Sequence, residues 1–363
     1  MTTLKSVSLS FALSLGASAG MVFLPAYPAG VVVFDESKGT VVEKIPLSTG
    51  IPMSIRLSQD HKRIYVTTVD HNGIEVIDVA TRKIINHFQL NTPTKQYRFT
   101  GGVADPSNKL FYAITTEIDK SIDRFSVSKP KYTIIDLEQQ KVVKTFDILP
   151  QDEKVNGGPG FGRGNLEVSP DGKYIYQFRD SVVVMNAADF SVVERIELAK
   201  PDLPGLEGVR FGADLDSLSQ DGQHISVFNA EDPYVHNKIF GIGRFDLSTR
   251  KVQFDPIGPA PAAMSGLQVS ADRKNGFVAV SNMAQGNKRC EFWSFDMAAL
   301  KIKQTQEFAC RARFTFGISL DGKKLYIYGA GFEVDVYDAA TLKFEKTYDL
   351  NSDITYGGMV IVP

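Results

Sequence analysis

One pattern recurs seven times along this chain and restricts its possible folds more than any other feature. In each copy an alternating strand ends at an Asp or Asn, a tight turn follows, and a second strand leaves the turn. These residues lie 42 to 60 positions apart, at Asp35, Asp78, Asp136, Asn186, Asp246, Asp296 and Asp338. This spacing is that of one four-stranded propeller blade with variable loops. The sequence therefore predicts an all-β fold, a seven-bladed β-propeller of four-stranded antiparallel blades.

A second repeat, a short turn followed by an alternating strand, precedes each copy except the first. The six stretches read LSQDHKRIYV, ADPSNKLFYA, SPDGKYIYQF, SQDGQHISVF, SADRKNGFVAV and SLDGKKLYIY. Their Ser, Pro, Asp, Asn and Gly residues favour tight turns, and Asp171 lacks the further oxygen ligands of a calcium loop. The first unit has no such turn, whereas the chain ends in an extra strand, GGMVIVP. We expect this C-terminal strand to pair into the first blade and close the ring.

The first 19 residues differ in composition from the repeats. MTTLK carries one Lys, SVSLSFALSLGASA is apolar and rich in small residues, and Ala17-Ser18-Ala19 fits a small-x-small cleavage site. This pattern is typical of a secretory signal peptide and is too short to span a bilayer. The sequence therefore predicts a signal peptide at residues 1–19, a single propeller domain at residues 20–363 and a periplasmic location. A frayed apolar N terminus is the alternative.

Charge and cysteine content narrow the possible partners and the compartment. With 40 Lys and Arg against 42 Asp and Glu, the formal net charge is −2, which gives no reason to expect nucleic acid or an anionic membrane as partner. Cys290 and Cys310 are the only cysteines, and in an oxidising compartment they are expected to form a disulfide. Simple strand pairing places Cys290 opposite Glu307, so a bulge or a strand end has to close the gap. Two buried thiols are the alternative.

The repeat also separates the two faces of the ring. Both kinds of short hairpin turn lie on one face, while the opposite face, here called the variable face, carries loops of very different length. They include TTEIDKSIDRFSVSKPK, PQDEKVNGGPGFGRGN, AKPDLPGLEG and NAEDPYVHNKIFG. Long irregular loops on a rigid scaffold usually carry binding sites. We therefore expect a ligand or a partner protein to bind on the variable face.

The candidate contact residues on this face are basic, aromatic or His side chains. Four arginines lie at or near the starts of inner strands, where guanidinium groups could bind carboxylates; water-exposed arginines at loop ends are the alternative. The complete set is Arg98, Phe161, Arg163, Arg210, Tyr234, His236, Arg313 and Tyr356.

No sequence motif indicates catalysis by this chain alone. GGPGFGRG at 157–164 lacks the Gly-Lys-Ser/Thr ending of a phosphate loop. The five histidines do not cluster as zinc ligands, and there is neither a Cys-x-x-Cys-His haem motif nor a Gly-x-Ser-x-Gly elbow. We expect no catalytic residue, metal ion or cofactor in this chain.

Three stretches resemble the β subunit of quinohemoprotein amine dehydrogenase, within the YVTN-type seven-bladed propellers. MVFLPAYPAGVVVFDESKGTVVEKI is similar to the opening blade of that subunit. RFTGGVADPSNKLFYAI and DRFSVSKPKYTIIDLEQQKVV resemble its third blade, and SLDGKKLYIYGAGFEVDVYDAATLKFEK resembles its last blade. The resemblance extends over nearly all of residues 21–363.

This resemblance implies a non-catalytic subunit of a periplasmic αβγ complex that oxidises primary amines. In that family a dihaem cytochrome c subunit receives the electrons, and a small subunit carries cysteine tryptophylquinone and the catalytic base. The propeller subunit forms part of the wall around the quinone. Two other functions stay open: a stand-alone periplasmic or surface propeller that binds proteins, and a lactonase-like hydrolase, which rests on shared architecture alone.

Overall fold

The computed structural model describes residues 20–70, 72–153, 166–178, 180–199, 208–211, 222–232, 234, 236–282 and 286–363. These residues form thirty β-strands and one short helix, α1 (Pro150–Glu153). Within them, no helix has the length and the apolar character needed to cross a membrane. The predicted signal peptide at residues 1–19 lies outside the described residues.

Successive strands pair antiparallel with their neighbours along the chain. The first three strands are β1 (Met21–Tyr27), β2 (Gly30–Asp35) and β3 (Thr40–Pro46). The next sheet contains β4 (Pro52–Leu57), β5 (Arg63–Thr68), β6 (Gly73–Asp78) and β7 (Ile84–Gln89). It is followed by a sheet of β8 (Lys95–Ala104), β9 (Leu110–Lys120), β10 (Phe125–Val127), β11 (Lys131–Asp136) and β12 (Lys141–Asp147).

The second half of the chain repeats this arrangement. One sheet contains β13 (Leu166–Val168), β14 (Tyr174–Phe178), β15 (Ser181–Asn186) and β16 (Val192–Glu197). Another contains β17 (Gly208–Phe211), β18 (Gln223–Glu231), β19 (Lys238–Asp246) and β20 (Val252–Pro259). The next contains β21 (Ala263–Met264), β22 (Gln268–Val269), β23 (Asn275–Ser281), β24 (Cys290–Asp296) and β25 (Lys301–Phe308). The last strands are β26 (Thr315–Ile318), β27 (Lys324–Tyr328), β28 (Gly331–Asp338), β29 (Phe344–Ile354) and β30 (Val360–Val362).

The two ends of the chain meet in one eight-stranded sheet, which closes the ring. Its strands are β26 to β30 from the C-terminal end and β1 to β3 from the N-terminal end. Within it, β30 pairs antiparallel with β1 through Met21↔Val362, Val22↔Ile361 and Phe23↔Val360. The predicted pairing of the C-terminal strand with the first unit is confirmed, and the fold is the predicted all-β propeller.

The number of separate sheets differs from the sequence prediction. We expected seven independent four-stranded sheets, whereas the described strands form five sheets of four or five strands and one sheet of eight. The difference arises because the eleven-residue strand β29 extends past its regular pairing with β28. Its end reaches β1 through Ala26↔Ile354 and Tyr27↔Asp353.

The hydrophobic core lies between the faces of neighbouring sheets. In β2, Val31 and Val33 pack towards Ile64 and Val66 of β5. The alternate residues of β2, Val32 and Phe34, pack in the opposite direction towards β27 and β28. Because successive side chains of a strand point to opposite faces, a strand covered on both faces has a continuous apolar sequence. This explains why β2 reads VVVF and β15 reads VVVM rather than alternating strictly.

The repeated Asp and Asn residues stabilise the turns that follow them. Asp246 is a representative case, since its Oδ1 accepts hydrogen bonds from Ser248 N at 2.9 Å, Thr249 N at 2.8 Å and Ser248 Oγ at 2.6 Å. These bonds lower the pKa of Asp246 to about 2, and the bond from the Ser248 hydroxyl has the largest effect. In all seven turns the fourth residue after the Asp or Asn has a positive φ: Gly39, Arg82, Gln140, Phe190, Arg250, Leu300 and Leu342. Only one of the seven is the Gly that this conformation favours.

The stretch SPDGKYIYQF likewise forms a turn rather than an ion site. Asp171 Oδ1 accepts hydrogen bonds from Ser169 Oγ at 2.6 Å and from Lys173 N at 3.1 Å. Gly172 has a φ of 71°, which glycine adopts without steric cost. The carboxylate of Asp171 is therefore occupied by its own turn.

A β-bulge near the turn shapes the outermost strand of six hairpins. The register shifts one residue before the Asp or Asn, for example between Val76 and Ile77 of β6. The extra residue of the outer strand projects into solvent, as at Val42, Ile85, Val143 and Val193, which are 39%, 51%, 48% and 49% exposed. A bulge bends an edge strand and discourages pairing with another chain. These exposed apolar residues therefore belong to the edge structure of the blades.

Substitution of Asp246 tests the role of the turn carboxylate. We expect Asp246→Ala to lower the free energy of unfolding by about 1 kcal/mol, because it removes the acceptor of the turn N–H groups. Asp246→Asn should stay close to the wild type at pH 7, since Asn186 occupies the equivalent position in another turn. Urea unfolding at pH 7 measures both differences.

Asp246 is also expected to make the free energy of unfolding depend on pH. Because the folded-state pKa of Asp246 lies below its ordinary value of 3.8, at about 2, its ionisation stabilises the protein above pH 4. That contribution is lost as the pH falls from about 4 to about 2. Asp246→Asn should lose less stability than the wild type across this interval; identical acid profiles would contradict the assignment.

Ring closure can be tested with two equivalent side-chain truncations. Ile361 of β30 is 2% exposed, whereas Ile85 at a bulge of β7 is 51% exposed. We expect Ile361→Ala to cost about 2–5 kcal/mol of unfolding free energy, because it leaves a cavity in the closing sheet. Ile85→Ala should cost less than about 0.5 kcal/mol. Equal urea midpoints for the two variants would show that β30 does not stabilise the ring.

Candidate functional site

A cleft on the variable face lies beside the eight-stranded sheet. It is a cleft of about 400 Å³, here called the arginine cleft, formed by the segment between β25 and β26 and by the β27–β28 turn. Its lining residues are Arg311, Ala312, Arg313, Ala330, Gly331, Phe332 and Glu333. The alanines, the glycine and the ring of Phe332 give it an apolar floor, and the arginines supply the charge.

A disulfide fixes one end of the segment that carries the arginines. Cys290 is the first residue of β24 and is 1% exposed, and Cys310 lies just after the end of β25. The two are bonded, with their Cα atoms 5.4 Å apart. Cys290 pairs with Phe308 and not with Glu307 as predicted, because the register shifts between Ser294 and Phe295. This bulge and the end of β25 bring the two cysteines within bonding reach.

Arg311 has a structural part in the cleft. Its Nε and Nη2 donate to Asp335 Oδ2 at 3.0 Å and 2.5 Å, and its Nη1 donates to the carbonyl oxygen of Glu333 at 3.1 Å. The Arg311 and Asp335 side chains are only 21% and 16% exposed. A charge paired and shielded in this way holds the segment against β28. It therefore leaves little of its own charge for a ligand.

Lys288 supports the same segment from its other side. Its Nζ donates to the carbonyl oxygen of Arg311 at 3.0 Å and to that of Ala312 at 3.3 Å. It also lies 5.1 Å from the centre of the Phe314 ring. The backbone of the cleft wall is thus held by a disulfide, an ion pair and a lysine.

Of the predicted residues, Arg313 lines this cleft, and Tyr356 lies close enough to feel its charge. Arg313 is exposed, and among the residues that the structure describes it makes no salt bridge. Burial raises the pKa of the Tyr356 hydroxyl, whereas the positive charge of Arg313 lowers it. The ring of Tyr356 packs on the two-residue β27–β28 turn, where a Cβ on Gly329 would lie 3.1 Å from Cε1. An exposed guanidinium beside a partly buried phenol can bind a carboxylate.

Tyr234 and His236 lie together on another part of the variable face, in the loop between β18 and β19. Tyr234 is 88% exposed, and its N–H donates to Asp232 Oδ1 at 2.7 Å. His236 Nδ1 lies 3.1 Å from Glu231 Oε1 with a side chain 72% exposed. This contact and the nearby Lys238 lower the pKa of Glu231. Both side chains are exposed to solvent.

The remaining predicted residues lie on other strands or outside the described residues. Arg98 lies on β8, opposite Thr116 of β9, and is exposed. Arg210 lies on β17, opposite Asn229, and the structure describes only its backbone. Phe161 and Arg163 fall in residues 154–165, which lie outside the described residues. The proposed ring of arginines at the channel mouth therefore stays a prediction.

A projecting β-hairpin on the variable face was missed by the sequence analysis. The stretch interpreted as an irregular polar loop forms the end of β9 and β10, which pair through Lys120↔Phe125, Asp119↔Ser126 and Ile118↔Val127. Near its tip, Ile122 is 108% exposed, Phe125 67% and Val127 66%. Apolar positions alternating in DRFSVS were the available signal, since alternation favours a strand.

Ion pairs at its base order this hairpin. Lys95 Nζ lies 2.8 Å from Glu117 Oε2 and 3.7 Å from Asp119 Oδ1. Ser128 Oγ accepts a hydrogen bond from Glu117 N at 2.9 Å. The apolar tip is therefore presented on a strand pair rather than on an irregular loop.

No metal centre is found in the described part of the chain. There, no group of three or more His, Cys, Asp or Glu side chains could hold a metal ion. The buried His224 stacks on Phe178, with ring centres 3.9 Å apart, and its Nδ1 lies 2.5 Å from Glu167 Oε1. We interpret this histidine as a packing contact between neighbouring sheets.

Comparison with known proteins shows the fold. No protein-family profile and no curated protein matches the chain. A structure of a functionally unknown protein from Desulfotomaculum acetoxidans DSM 771 is 11% identical, with 95% of this chain and 99% of that chain covered and a TM-score of 0.55. The β-propeller domain of Myceliophteria thermophila Cps50 (Swd1) is 10% identical, with 89% and 92% covered and a TM-score of 0.52. The chain is a β-propeller.

A third matching structure is named as a dehydrogenase. Dihydro-heme d1 dehydrogenase NirN in complex with DHE is 13% identical, with 94% of this chain and 75% of that chain covered and a TM-score of 0.51. At these identities the likeness establishes fold and not activity. The resemblance to the amine dehydrogenase β subunit stays a prediction.

The disulfide at the cleft gives a test of its anchoring role. We expect a Cys290→Ser/Cys310→Ser double variant to lose about 3 kcal/mol of unfolding free energy, because the bond closes a loop with a sequence separation of 20. The wild type in a thiol reductant should fall to the same stability, whereas the double variant should not respond to reductant. Urea unfolding with and without reductant measures both effects. A wild type insensitive to complete reduction would contradict this role.

Proposed function

We propose that this chain is an exported seven-bladed propeller subunit that binds partner proteins on its variable face. In its specific form, the proposal is the scaffold subunit of a periplasmic quinohemoprotein amine dehydrogenase. The quinone-bearing small subunit and the dihaem cytochrome c subunit would be its partners. This chain would supply part of the wall around the quinone and no catalytic residue.

The proposed blade number counts the eight-stranded sheet as two blades. One blade consists of β26 to β29, and the other of β30, β1, β2 and β3. Strand pairing joins the two halves through Ala26↔Ile354 and Tyr27↔Asp353. With the other five sheets, this division gives seven blades.

The projecting β9–β10 hairpin is the observation that carries the proposal. Ile122, Phe125 and Val127 expose three large apolar side chains within six residues, although folding alone favours their burial. Exposed apolar groups rimmed by polar residues mark interaction sites. Here the rim contains Lys120, Arg124, Asp119 and Asp123. A convex apolar tip fits a groove on another protein better than it fits a small molecule.

The hairpin also lies in the region that the amine dehydrogenase resemblance covers best. The stretch DRFSVSKPKYTIIDLEQQKVV contains β10, β11 and the start of β12. The arginine cleft adds a second contact on the same face, where the exposed guanidinium of Arg313 suits a carboxylate of the partner. Apolar anchors with a polar rim and an arginine are the usual elements of a protein interface.

Purification from the source organism with tagged variants tests both levels of the proposal. The wild type should co-purify with subunits that contain haem and quinone, and the complex should reduce its haem when a primary amine is added. An Ile122→Ser/Phe125→Ser double variant should retain at most about a tenth of the partner, because it removes two apolar anchors. Ile85→Ser, an exposed apolar position on an outer strand, should retain it fully.

The outcomes distinguish the general proposal, a partner-binding propeller, from the specific one, an amine dehydrogenase subunit. A lone wild-type monomer without haem or quinone absorbance would overturn the amine dehydrogenase subunit. A hairpin-dependent partner without redox groups would leave a stand-alone binding propeller. Equal recovery of partners with the hairpin double variant and with Ile85→Ser would overturn the hairpin as the docking element.

A further inference from the structure

The backbone nitrogen of Gly20 lies against a carboxylate at the seam that closes the ring. Gly20 N donates to Glu36 Oε2 at 2.8 Å, and Gly20 O accepts from Glu36 N at 3.1 Å. Glu36 follows β2 directly, so these contacts fasten the residue before β1 to the next strand of the same sheet. Gly20 itself is buried.

The seam has no room for a side chain at position 20. A Cβ on Gly20 would lie 2.9 Å from Glu36 Oε2, 2.9 Å from Leu320 Cβ and 3.0 Å from Ile361 Cγ1. The two 2.9 Å contacts are shorter than real Cβ atoms show, and the 3.0 Å contact is tighter than most. Position 20 therefore fits glycine, whose α-carbon carries only hydrogens.

Glu36 also contacts the last unit of the chain and, among the described residues, forms no salt bridge. Its Oε1 accepts from Tyr326 Oη at 2.7 Å, and its Oε2 accepts from Leu320 N at 3.3 Å. Burial raises its pKa, and the negative charge of Asp321 acts in the same direction. The nearby lysines are already paired, Lys323 with Asp321 at 3.4 Å and Lys38 with Asp35 at 3.0 Å. A carboxylate in such surroundings favours a nearby positive charge.

We propose that the chain is cut between Ala19 and Gly20 and that the new α-ammonium group of Gly20 forms an ion pair with Glu36. This inference rests on the export that the proposed function includes. It adds a defined mature N terminus and a binding site for it.

The chemistry is an ordinary peptide hydrolysis by an endopeptidase of the export pathway. Water supplies a hydroxyl to the carbonyl carbon of Ala19, the C–N bond breaks, and the Gly20 nitrogen gains protons and becomes an ammonium group. Because Gly20 is buried in the closed ring, the cut has to precede ring closure. The nitrogen already lies at hydrogen-bond distance from Glu36, so cleavage exchanges a neutral donor for a charged one. Charge-assisted hydrogen bonds are about twice as strong as neutral ones.

The first experiment is the intact mass and N-terminal sequence of the full 363-residue chain after expression in an exporting host. The expected mature protein begins at Gly20. An exported protein that begins at any other residue overturns the ion pair and leaves the proposed function intact. A chain retained in the cytoplasm with residues 1–19 attached overturns both.

The second experiment measures the pKa of the unmodified α-amine by ¹⁵N NMR of protein labelled with ¹⁵N-glycine. An α-amino group ordinarily titrates at about 7.7–8.0, and an ion pair with Glu36 raises this value. We expect a pKa above 8 in the wild type and a return towards about 8 in Glu36→Gln. A wild-type value at or below 8 overturns the proposal, and this result does not depend on whether the variant folds.

A stability profile gives a third readout. Because the folded-state pKa of the amine is raised, the ion pair stabilises the protein below pH 8 and is lost as the pH rises through the folded-state value. The urea midpoint of the wild type should exceed that of Glu36→Gln at pH 7, and the difference should fall by at least half at pH 10. Tyr326→Phe is the matched control, since it removes another donor to Glu36 and should keep the pH-dependent loss. If the urea midpoints of the wild type and Glu36→Gln differ by the same amount from pH 7 to pH 10, the proposal is overturned.

Discussion

Hydrogen bonding between β30 and β1 joins the two ends of the chain, and the burial of every other sheet depends on it. Each sheet packs apolar side chains on both faces, as Val31 and Val33 of β2 do on one side and Val32 and Phe34 on the other. Such a sheet needs a neighbour on each side, which only a closed ring provides. If β30 detached, both faces at the seam would meet water. Closure thus turns a row of two-sided sheets into one stable core.

The same closure divides the surface into a face of short turns and the variable face. On one side the turns are occupied by their own hydrogen bonds, as at Asp246 and Asp171. On the other side the strands end in loops that the core does not constrain, and these carry the β9–β10 hairpin and the arginine cleft. The cleft is rigid because a disulfide and the Arg311–Asp335 ion pair hold its wall. A rigid, individual surface on a uniform scaffold is suited to recognising a partner.

Much of the fold could be predicted because it depends on local chemistry. An Asp or Asn at the end of a strand caps the following turn whatever its distant neighbours are, so the repeat and the closing strand were visible in the sequence. The candidate site was predictable only in part. Arg313 and Tyr356 were identified singly, but their proximity requires the last unit to fold against the seam. The hairpin at Phe125 was misread as a loop, although the alternating apolar positions of DRFSVS favour a strand.

The sequence by itself determined the all-β repeat, the turn residues and the pairing of the chain ends. The tertiary structure decided the rest. It shifted Cys290 opposite Phe308 through a bulge, fused the first and last units into one eight-stranded sheet, and placed Gly20 against Glu36. The physical reason is that turn and strand preferences act over a few residues, whereas bulges, seams and buried charges are fixed by packing between segments far apart in the chain.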